Sequence, residues 1–363
     1  MLGSVVVTRC GVQSGHCSRT KILGRVRGMT VVVGIDVGGT KTNATVLGDD
    51  GQFLVDRMIE VPSRVGEGPE AAIGAIVEVV AVVLAAAGAQ QRTVLAVGLD
   101  TPGPASAGGG ISRRGSTNFA QQAWWGFDVR AAVEGALRLP VIYNNDGNAA
   151  SLYAHQQHFG GHSGERSSVS AIVGTGLGGG VIEMGAVVRG ASGMAGELGH
   201  VHIPTHGLLA PGQPIPRCNC GFEGDLESIA SLSGIQNNLL PFWLTQYPLH
   251  PLAELPINVA AKEVRGYAQR GDEMALKIFE QQAKAIATMF TIAANFTDPD
   301  AYFVGGGVVE AEPHFRDWFL ALVREHTLLR EEQREVVEFL VVSDLDMAGA
   351  RGSAMAALNA IRP

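Results

Sequence analysis

Residues 31–47 read VVVGIDVGGTKTNATVL and decide the fold class. Two runs rich in β-branched residues flank a lone aspartate and two glycines, which predicts a strand, a tight turn and a second strand. Asp36 ends the first strand, and Gly38 and Gly39 supply the backbone freedom that the turn needs. Backbone N–H groups in such a turn can hold a polyanion, aided by the threonine and lysine that follow. The segment is either a phosphate-binding turn or an ordinary hairpin whose aspartate caps it.

Composition limits the classes of function. The chain has 363 residues, 46% of them hydrophobic and 17% charged, which is enough for two domains with large cores. A formal charge of −8 argues against a protein that mainly binds nucleic acid, since that needs a basic face. Four cysteines are too few for a disulfide framework. A small-molecule partner and a cytoplasmic location are expected.

Two segments need separate interpretation. Residues 1–28 contain basic but no acidic residues and show no periodicity, so we expect a disordered extension. Residues 71–89 are almost entirely apolar, but Glu78 lies at their centre and no basic residues bracket them. We therefore predict a buried helix and no membrane span.

Strand and helix patterns alternate along the chain, which is the order of an α/β fold. Strands are predicted at 93–99, 140–143, 169–173 and 301–304, and helices at 126–137, 149–159 and 273–296.

A second glycine-rich turn, GTGLGGG at 174–180, follows the strand 169–173. Its glycines satisfy the dinucleotide pattern G-x-G-x-x-G, but that pattern needs a helix after it. Residues 181–189 instead contain several β-branched residues, an internal glycine and no helical period, and are predicted to continue as a strand. Two strand–turn–strand elements suggest two domains that hold one nucleotide between them. Further glycines, GGGV at 305–308, are expected to lead from a strand into a helix N-terminus, where a phosphate or a base can contact the backbone.

Polar residues that could perform chemistry cluster in three places. Asp146, in NNDGN after a strand, is either a base that accepts a proton from a substrate hydroxyl or a turn or helix cap. Glu197 and His200, in a glycine-rich loop, could hydrogen-bond adjacent hydroxyls of a sugar. Cys218 and Cys220 form a C-x-C pair that is typical of half a metal site, with His200 as a third ligand.

Taken together, the motifs resemble those of the ROK family of sugar kinases and repressors. The resemblance runs from residue 31 to the C-terminus and rests on DVGGTK at 36–41, TPGP at 101–104, NNDGNAA at 144–150, GTGLGGG at 174–180, GELGH at 196–200, CNCGFEGDLE at 218–227 and GGGV at 305–308. It implies a two-domain, actin-like ATPase (ribonuclease H-like) α/β fold in which ATP and a hexose meet in the interdomain cleft.

The resemblance also assigns roles to residues. Asp146 would be the catalytic base, with Mg²⁺ near Asp36. The sugar contacts would be Asn118, Asn145, Glu197, His200 and Glu227. The nucleotide contacts would be Asp36, Gly38, Gly39, Thr40, Lys41, Gly174, Thr175, Gly176, Gly178, Gly305, Gly306 and Gly307.

The zinc motif of the family is altered in this chain. Asp225 stands where a cysteine is usual, and the segment between His200 and Cys218 is longer than in the family pattern. Zinc held by His200, Cys218 and Cys220 therefore lacks a third cysteine, and an aspartate oxygen is the available substitute.

The predicted function is ATP-dependent phosphorylation of a hexose 6-hydroxyl, with glucose as the first candidate and mannose or an N-acetylhexosamine as alternatives. The predicted domains are residues 29–143, joined by a C-terminal helix at 347–363, and residues 144–346. A homodimer is expected from the resemblance. The alternative is a sugar-sensing ROK-type repressor without kinase activity, and about thirty residues before the first strand are too few for a winged helix-turn-helix.

Overall fold

The computed structural model describes residues 29–112 and 118–362. Residues 1–28, which are predicted to be disordered, lie outside the described residues.

The first sheet has five strands in the order β3-β2-β1-β4-β5. The strands are β1 (Val31–Val37), β2 (Lys41–Gly48), β3 (Ile59–Pro62), β4 (Val94–Thr101) and β5 (Val141–Asn145). β1 and β2 pair antiparallel around the Gly-Gly turn, so the predicted hairpin is confirmed, whereas β4 and β5 run parallel to β1. The carboxyl ends of β1, β4 and β5 therefore lie at one edge of the sheet.

Three helices belong to this part of the chain: α1 (Pro69–Ala87), α2 (Val129–Leu137) and α3 (Asp146–Phe159). The helix predicted from residue 126 begins at Val129, because the Asp128 carboxylate accepts a hydrogen bond from the Ala131 amide (2.9 Å) and caps the helix. The strand predicted to end at residue 143 continues to Asn145, and α3 starts directly after it.

Helix α1 is the apolar segment noted in the sequence. Among the described residues it is the single helix long and apolar enough to cross a membrane by length and composition, and 44% of that window is buried inside the molecule. Its buried side chains, which include Ile76, Val79 and Val83, share a core with the first sheet. This packing accounts for the buried apolar face of the helix, whereas Val77 and Val82 are exposed.

The second sheet also has five strands, in the order β10-β9-β6-β7-β8. They are β6 (Ser168–Val173), β7 (Leu177–Glu183), β8 (Ala186–Val187), β9 (Ala301–Gly306) and β10 (Glu338–Val341). Strand β7 follows the second glycine turn and pairs antiparallel with β6, so the prediction of a strand after those glycines is confirmed. The strand predicted over 181–189 is, however, a hairpin, because Met184 and Gly185 both take positive φ and turn the chain from β7 into β8.

The remaining helices are α4 (Glu227–Ala230), α5 (Leu232–Gly234), α6 (Leu240–Gln246), α7 (Ile257–Gln269), α8 (Glu273–Thr297), α9 (Pro313–His326), α10 (Glu331–Val336) and α11 (Leu345–Ile361). The long helix predicted at 273–296 is α8. The prediction that a helix directly follows the glycines at 305–308 is wrong. Strand β9 continues to Gly306, turns follow, and α9 begins only at Pro313.

Helices α3 and α11 join the two sheets. A buried apolar cluster contains side chains of β1 and β4, of both helices and of β7. Glycines allow the close contact: a Cβ on Gly34 would lie 1.9 Å from the Ala350 carbonyl oxygen, and a Cβ on Gly98 would lie 1.8 Å from that of Ser353. The polar strand ends of the first sheet are thereby held near the second sheet.

Candidate active site

Three carboxyl groups lie at the carboxyl edge of the first sheet. Asp36 in β1 pairs in register with Asp100 in β4, and Asp146 follows β5 as the first residue of α3. Asn43 Nδ2 donates to Asp36 Oδ2 (3.2 Å), and the Ser353 hydroxyl donates to Asp100 Oδ2 (2.7 Å). Asp100 is fully buried, whereas Asp36 and Asp146 are partly exposed, so the latter two can meet a ligand.

Burial and mutual repulsion perturb these groups. Burial, followed by the negative charge of Asp36, raises the pKa of Asp146 to about 7. Burial also raises the pKa of Asp36 and, together with the charge of Asp36, raises the pKa of Asp100 well above its ordinary value. A carboxyl group with a pKa near neutrality suits proton transfer at physiological pH.

The cap of α3 is Asn145 and not Asp146. The Asn145 side-chain oxygen accepts a hydrogen bond from the Asn148 amide (2.7 Å). Asp146 is already helical, and its Oδ1 accepts from the Gly147 amide (2.7 Å). The capping role therefore belongs to Asn145. The Oδ2 atom of Asp146 does not take part in the hydrogen bond with the Gly147 amide.

The expected sugar-contacting residues adjoin the carboxyl groups. Asn145 Nδ2 donates to Glu197 Oε1 (2.7 Å), which links the cap of α3 to the glycine-rich loop. Burial is the main cause that raises the pKa of Glu197. The charge of Glu227 also raises this pKa, whereas the charge of His200 lowers it. Asn118 has positive φ, and its side chain fills the space beside Gly39 of the first glycine turn. The structure thus brings Asp146, Asn145, Glu197 and His200 together, with Asn118 beside the first turn.

The predicted metal ligands form one cluster with Asp225. Ligand atoms of His200, Cys218, Cys220 and Asp225 all lie within 4.8 Å of one another. His200 Nδ1 is 3.1 Å from Asp225 Oδ2, which also accepts from Cys220 Sγ (3.6 Å). Two sulfurs, one imidazole nitrogen and one carboxylate oxygen are a donor set that tetrahedral zinc accepts. The residues present therefore fit a zinc ion, with Asp225 in the position of the missing cysteine.

Glu227 lies between this cluster and the second glycine turn. Its Oε1 accepts from the Cys218 thiol (3.4 Å) and its Oε2 from the Leu177 amide (2.9 Å). Both oxygens of this predicted sugar contact thus already have a partner within the protein.

The first glycine turn is closed by a hydrogen bond from the Gly38 amide to the Lys41 carbonyl (2.9 Å). Ser63 Oγ donates to the Gly39 carbonyl (2.9 Å) and fixes the turn from β3. The Lys41 ammonium is exposed and lies 2.6 Å from Glu60 Oε2. Its charge therefore pairs with Glu60 and is not free inside the site. Thr40 is exposed.

The second and third glycine segments lie side by side. Val173 pairs with Gly306 in the parallel register of β6 and β9, and the Gly307 amide donates to the Val173 carbonyl (3.0 Å). Gly306 has φ +88, and a Cβ there would lie 2.0 Å from the Val173 oxygen. The segments that begin at Gly174 and Gly305 thus end adjacent strands of the second sheet, even though no helix follows the latter directly.

Sequence reasoning missed Asp100 and Ser353. Asp100 directly precedes the TPGP motif at 101–104, and its meaning depends on a register that places it beside Asp36. Ser353 comes from α11 at the other end of the chain, and no local pattern points to it.

Known proteins resemble this chain over most of its length. The model of the ROK family matches residues 32–360. The structure of a ROK hexokinase from Thermus thermophilus is 30% identical, with a TM-score of 0.71 over 92% of this chain and 99% of that one. A ROK family glucokinase from Streptomyces griseus, solved with glucose and AMPPNP, is 27% identical, with a TM-score of 0.64 over 91% of this chain and 99% of that one.

A third relative is the N-acetylmannosamine kinase of Shigella flexneri, 31% identical over 330 residues that cover 90% of this chain and 98% of that protein. The α/β, actin-like fold class predicted from the sequence is confirmed. The chain belongs to the ROK family.

Proposed function

We propose that this protein transfers the γ-phosphoryl group of ATP to the 6-hydroxyl of a hexose, with glucose as the first candidate. The observation that carries the proposal is the position of Asp146. The charges of Asp36 and Glu197 both act on its carboxyl group, and Glu197 is hydrogen-bonded to Asn145, the residue before it. Sugar kinases among the relatives, one of them solved with glucose and AMPPNP, support the same conclusion.

The acceptor side would work through hydrogen bonds. Glu197 and His200 bind adjacent sugar hydroxyls, and Asn145 keeps Glu197 in place through its 2.7 Å bond. The hexose O6 attacks the γ-phosphorus, the bond to the bridging oxygen breaks, and ADP leaves. Asp146 accepts the proton of O6 as the new bond forms.

The donor side would use the glycine segments. The turns at 38–41 and 174–178 and residues 305–307 would hold the phosphates and the nucleoside through backbone groups that are not already bonded within the protein, since none of these glycines places a side chain in the way. Mg²⁺, when bound with ATP, neutralises charge on the phosphates, and Asp36 is the carboxylate beside the first turn that would face it. Asp36 fits that role because it is partly exposed.

Zinc would be held by His200, Cys218, Cys220 and Asp225 as a closed, four-ligand site. Such a site has no position for substrate, so its contribution would be structural. It would fix His200, which contacts Asp225 through Nδ1, in the orientation needed to meet the sugar.

Two domains would close on the substrates. Residues 29–143 with the C-terminal helix would form one domain and residues 144–346 the other. Closure on the hexose would exclude water, which otherwise competes as an acceptor. We expect a homodimer.

Activity on a panel of sugars tests the proposal. Purified protein is supplied with ATP and Mg²⁺ and with glucose, mannose, N-acetylglucosamine or N-acetylmannosamine, and ADP release is measured with a coupled assay. Sugar-dependent ADP release and a 6-phosphate product, identified by ³¹P NMR, are expected. Polyphosphate serves as the alternative donor. No sugar-dependent turnover with either donor would contradict the proposal.

A further inference from the structure

Glu227 connects two parts of the site that lie in different segments of the chain. It is the first residue of α4 and reaches the Cys218 thiol with one oxygen (3.4 Å) and the Leu177 amide with the other (2.9 Å). Leu177 is the first residue of β7 and ends the second glycine turn. One short side chain thus spans from the metal cluster to the turn.

The same segment holds the turn through its backbone. The Leu232 amide donates to the Gly174 carbonyl and the Ser233 amide to the Thr175 carbonyl, both at 3.0 Å. The turn itself is closed by the Gly174 amide, which donates to the Gly176 carbonyl (2.9 Å). Because Glu227, Leu232 and Ser233 hold it together, the turn follows any displacement of residues 227–233.

Little space is left for the turn to shift independently. A Cβ on Gly176 would lie 2.5 Å from Glu227 Oε2, so the carboxylate packs directly against the backbone of the turn. The absence of a side chain at Gly176 is what lets the carboxylate reach the Leu177 amide.

On its other side, the segment is anchored to the cluster. Asp225 accepts from the Ser228 amide through Oδ1 (2.9 Å), while its Oδ2 faces His200 (3.1 Å). Gln282 from α8 donates to the carbonyls of Ile229 and Ser231 (3.1 and 3.2 Å). The segment between the cluster and the turn is therefore held by hydrogen bonds along its length.

We propose that Glu227 is a positioning residue through which occupancy of the metal cluster sets the geometry of the second glycine turn. The assignment of this turn to the phosphate donor rests on the proposed function. Loading the cluster with a divalent metal would deprotonate Cys218 and remove its hydrogen bond to Glu227. It would also fix Asp225, which through the Ser228 amide holds the first turn of α4, so that Glu227 would stay in place on the Leu177 amide. Binding at the two sites would then be reciprocal, so the donor would also tighten the metal.

Hydrogen exchange of the Leu177 amide tests the positional link without any substrate. Exchange is followed by mass spectrometry on peptides covering residues 174–183, for zinc-loaded and chelator-treated protein. In the wild type we expect slower exchange when zinc is bound. Glu227→Ala should exchange rapidly in both states, whereas Glu227→Gln retains an acceptor oxygen and should restore protection. Glu223→Gln is the matched control, since it removes a carboxylate of the same loop that pairs with exposed Arg217.

Calorimetry with AMPPNP, without sugar, measures the consequence for the donor. Zinc removal should weaken AMPPNP binding to the wild type and to Glu223→Gln by about 5- to 150-fold, the usual range of coupling between sites. Glu227→Ala should bind weakly and with a much smaller dependence on zinc, since only the Leu232 and Ser233 amides still link the turn to residues 227–233. The proposal would be overturned if the exchange rate of the Leu177 amide changed neither with zinc nor in Glu227→Ala. It would also be overturned if AMPPNP binding to Glu227→Ala depended on zinc as strongly as in the wild type. If exchange responds as expected but AMPPNP binds to no form, the positional link stands and the proposed kinase function fails.

Discussion

At the scale of single residues, the site depends on how the structure shifts the proton affinity of ordinary groups. Asp146 lies at a helix N-terminus, which favours its anion, yet burial and the charge of Asp36 outweigh that effect and raise its pKa to about 7. The residue proposed to accept the proton of the hexose is thus balanced between its two protonation states near neutral pH.

The pH dependence of kcat/KM for the hexose should reveal this. Asp146 accepts a proton only when it is deprotonated, so kcat/KM should fall as the pH drops below about 7 and be about tenfold lower at pH 6 than at the plateau. Initial rates between about pH 5 and 8.5 measure the profile, and circular dichroism checks that the fold persists. A profile that stays flat down to about pH 5, as for an ordinary aspartate, would contradict the assignment.

Asp225 should determine the affinity for zinc. Asp225→Asn keeps an oxygen for the Ser228 amide but removes the charge that faces the metal. We expect zinc binding to weaken by at least about tenfold, since losing a residue that merely orients a ligand costs about 10- to 100-fold. Competition with a chromophoric chelator measures the affinity. Asp225→Cys should bind zinc at least as tightly as the wild type, and equal affinity in Asp225→Asn would show that this residue is not a ligand.

At the scale of helices and strands, the molecule depends on glycines that let elements pack backbone against backbone. Strands β1 and β4 bring their carboxyl ends to α11 only because Gly34 and Gly98 carry no side chain. This contact places the Ser353 hydroxyl of α11 2.7 Å from Asp100 Oδ2. Packing and site geometry are therefore set by the same positions.

Gly98→Ala should destabilise the fold. The new Cβ would lie 1.8 Å from the Ser353 carbonyl oxygen, and backbone cannot yield as a flexible side chain can. Overpacking usually costs about 1–3 kcal/mol, and we expect a loss of free energy of unfolding at the upper end of that range. Gly74→Ala in α1 is the control, because no atom lies within 4 Å of its new Cβ and alanine favours helix by about 1 kcal/mol. Urea denaturation compares the two, and equal stability would refute the packing argument.

Local patterns predicted some elements well and others poorly. The hairpin around Gly38 and Gly39 was predictable because alternation and turn residues act over a few positions. The start of α3 at Asp146 was not, because Asn145 caps it while still belonging to β5. The start of α9 at Pro313 was misplaced for a related reason: Gly305 and Gly306 remain in the sheet through their register with β6, which local sequence does not encode.

At the scale of the whole molecule, the site is assembled from segments far apart in sequence. The carboxyl groups come from the first sheet, the metal cluster from the loop before α4, and the later glycine segments from the second sheet. Motifs predicted most of these residues, since each motif is local. Asp100 and Ser353 were not predicted, because their roles arise only where β1, β4 and α11 meet.

Closure of the two proposed domains should be measurable. Addition of glucose and AMPPNP is expected to lower the radius of gyration, since the proposed nucleotide contacts come from both domains. Small-angle X-ray scattering with and without the ligands tests this, with a sugar that is not phosphorylated as the control. An unchanged radius of gyration at saturating ligand would rule out closure as the means of excluding water.

The most direct measurement of the central claim compares the wild type with Asp146→Asn in hexose-dependent ADP release. Asparagine keeps the size of the side chain but cannot accept the proton of O6, so kcat should fall by about 10²- to 10⁴-fold while the Kd for AMPPNP stays close to that of the wild type. Asp128→Asn, which retains an acceptor for the Ala131 amide at the start of α2, should keep the wild-type rate. A folded Asp146→Asn variant that phosphorylates the sugar at full rate would contradict the account.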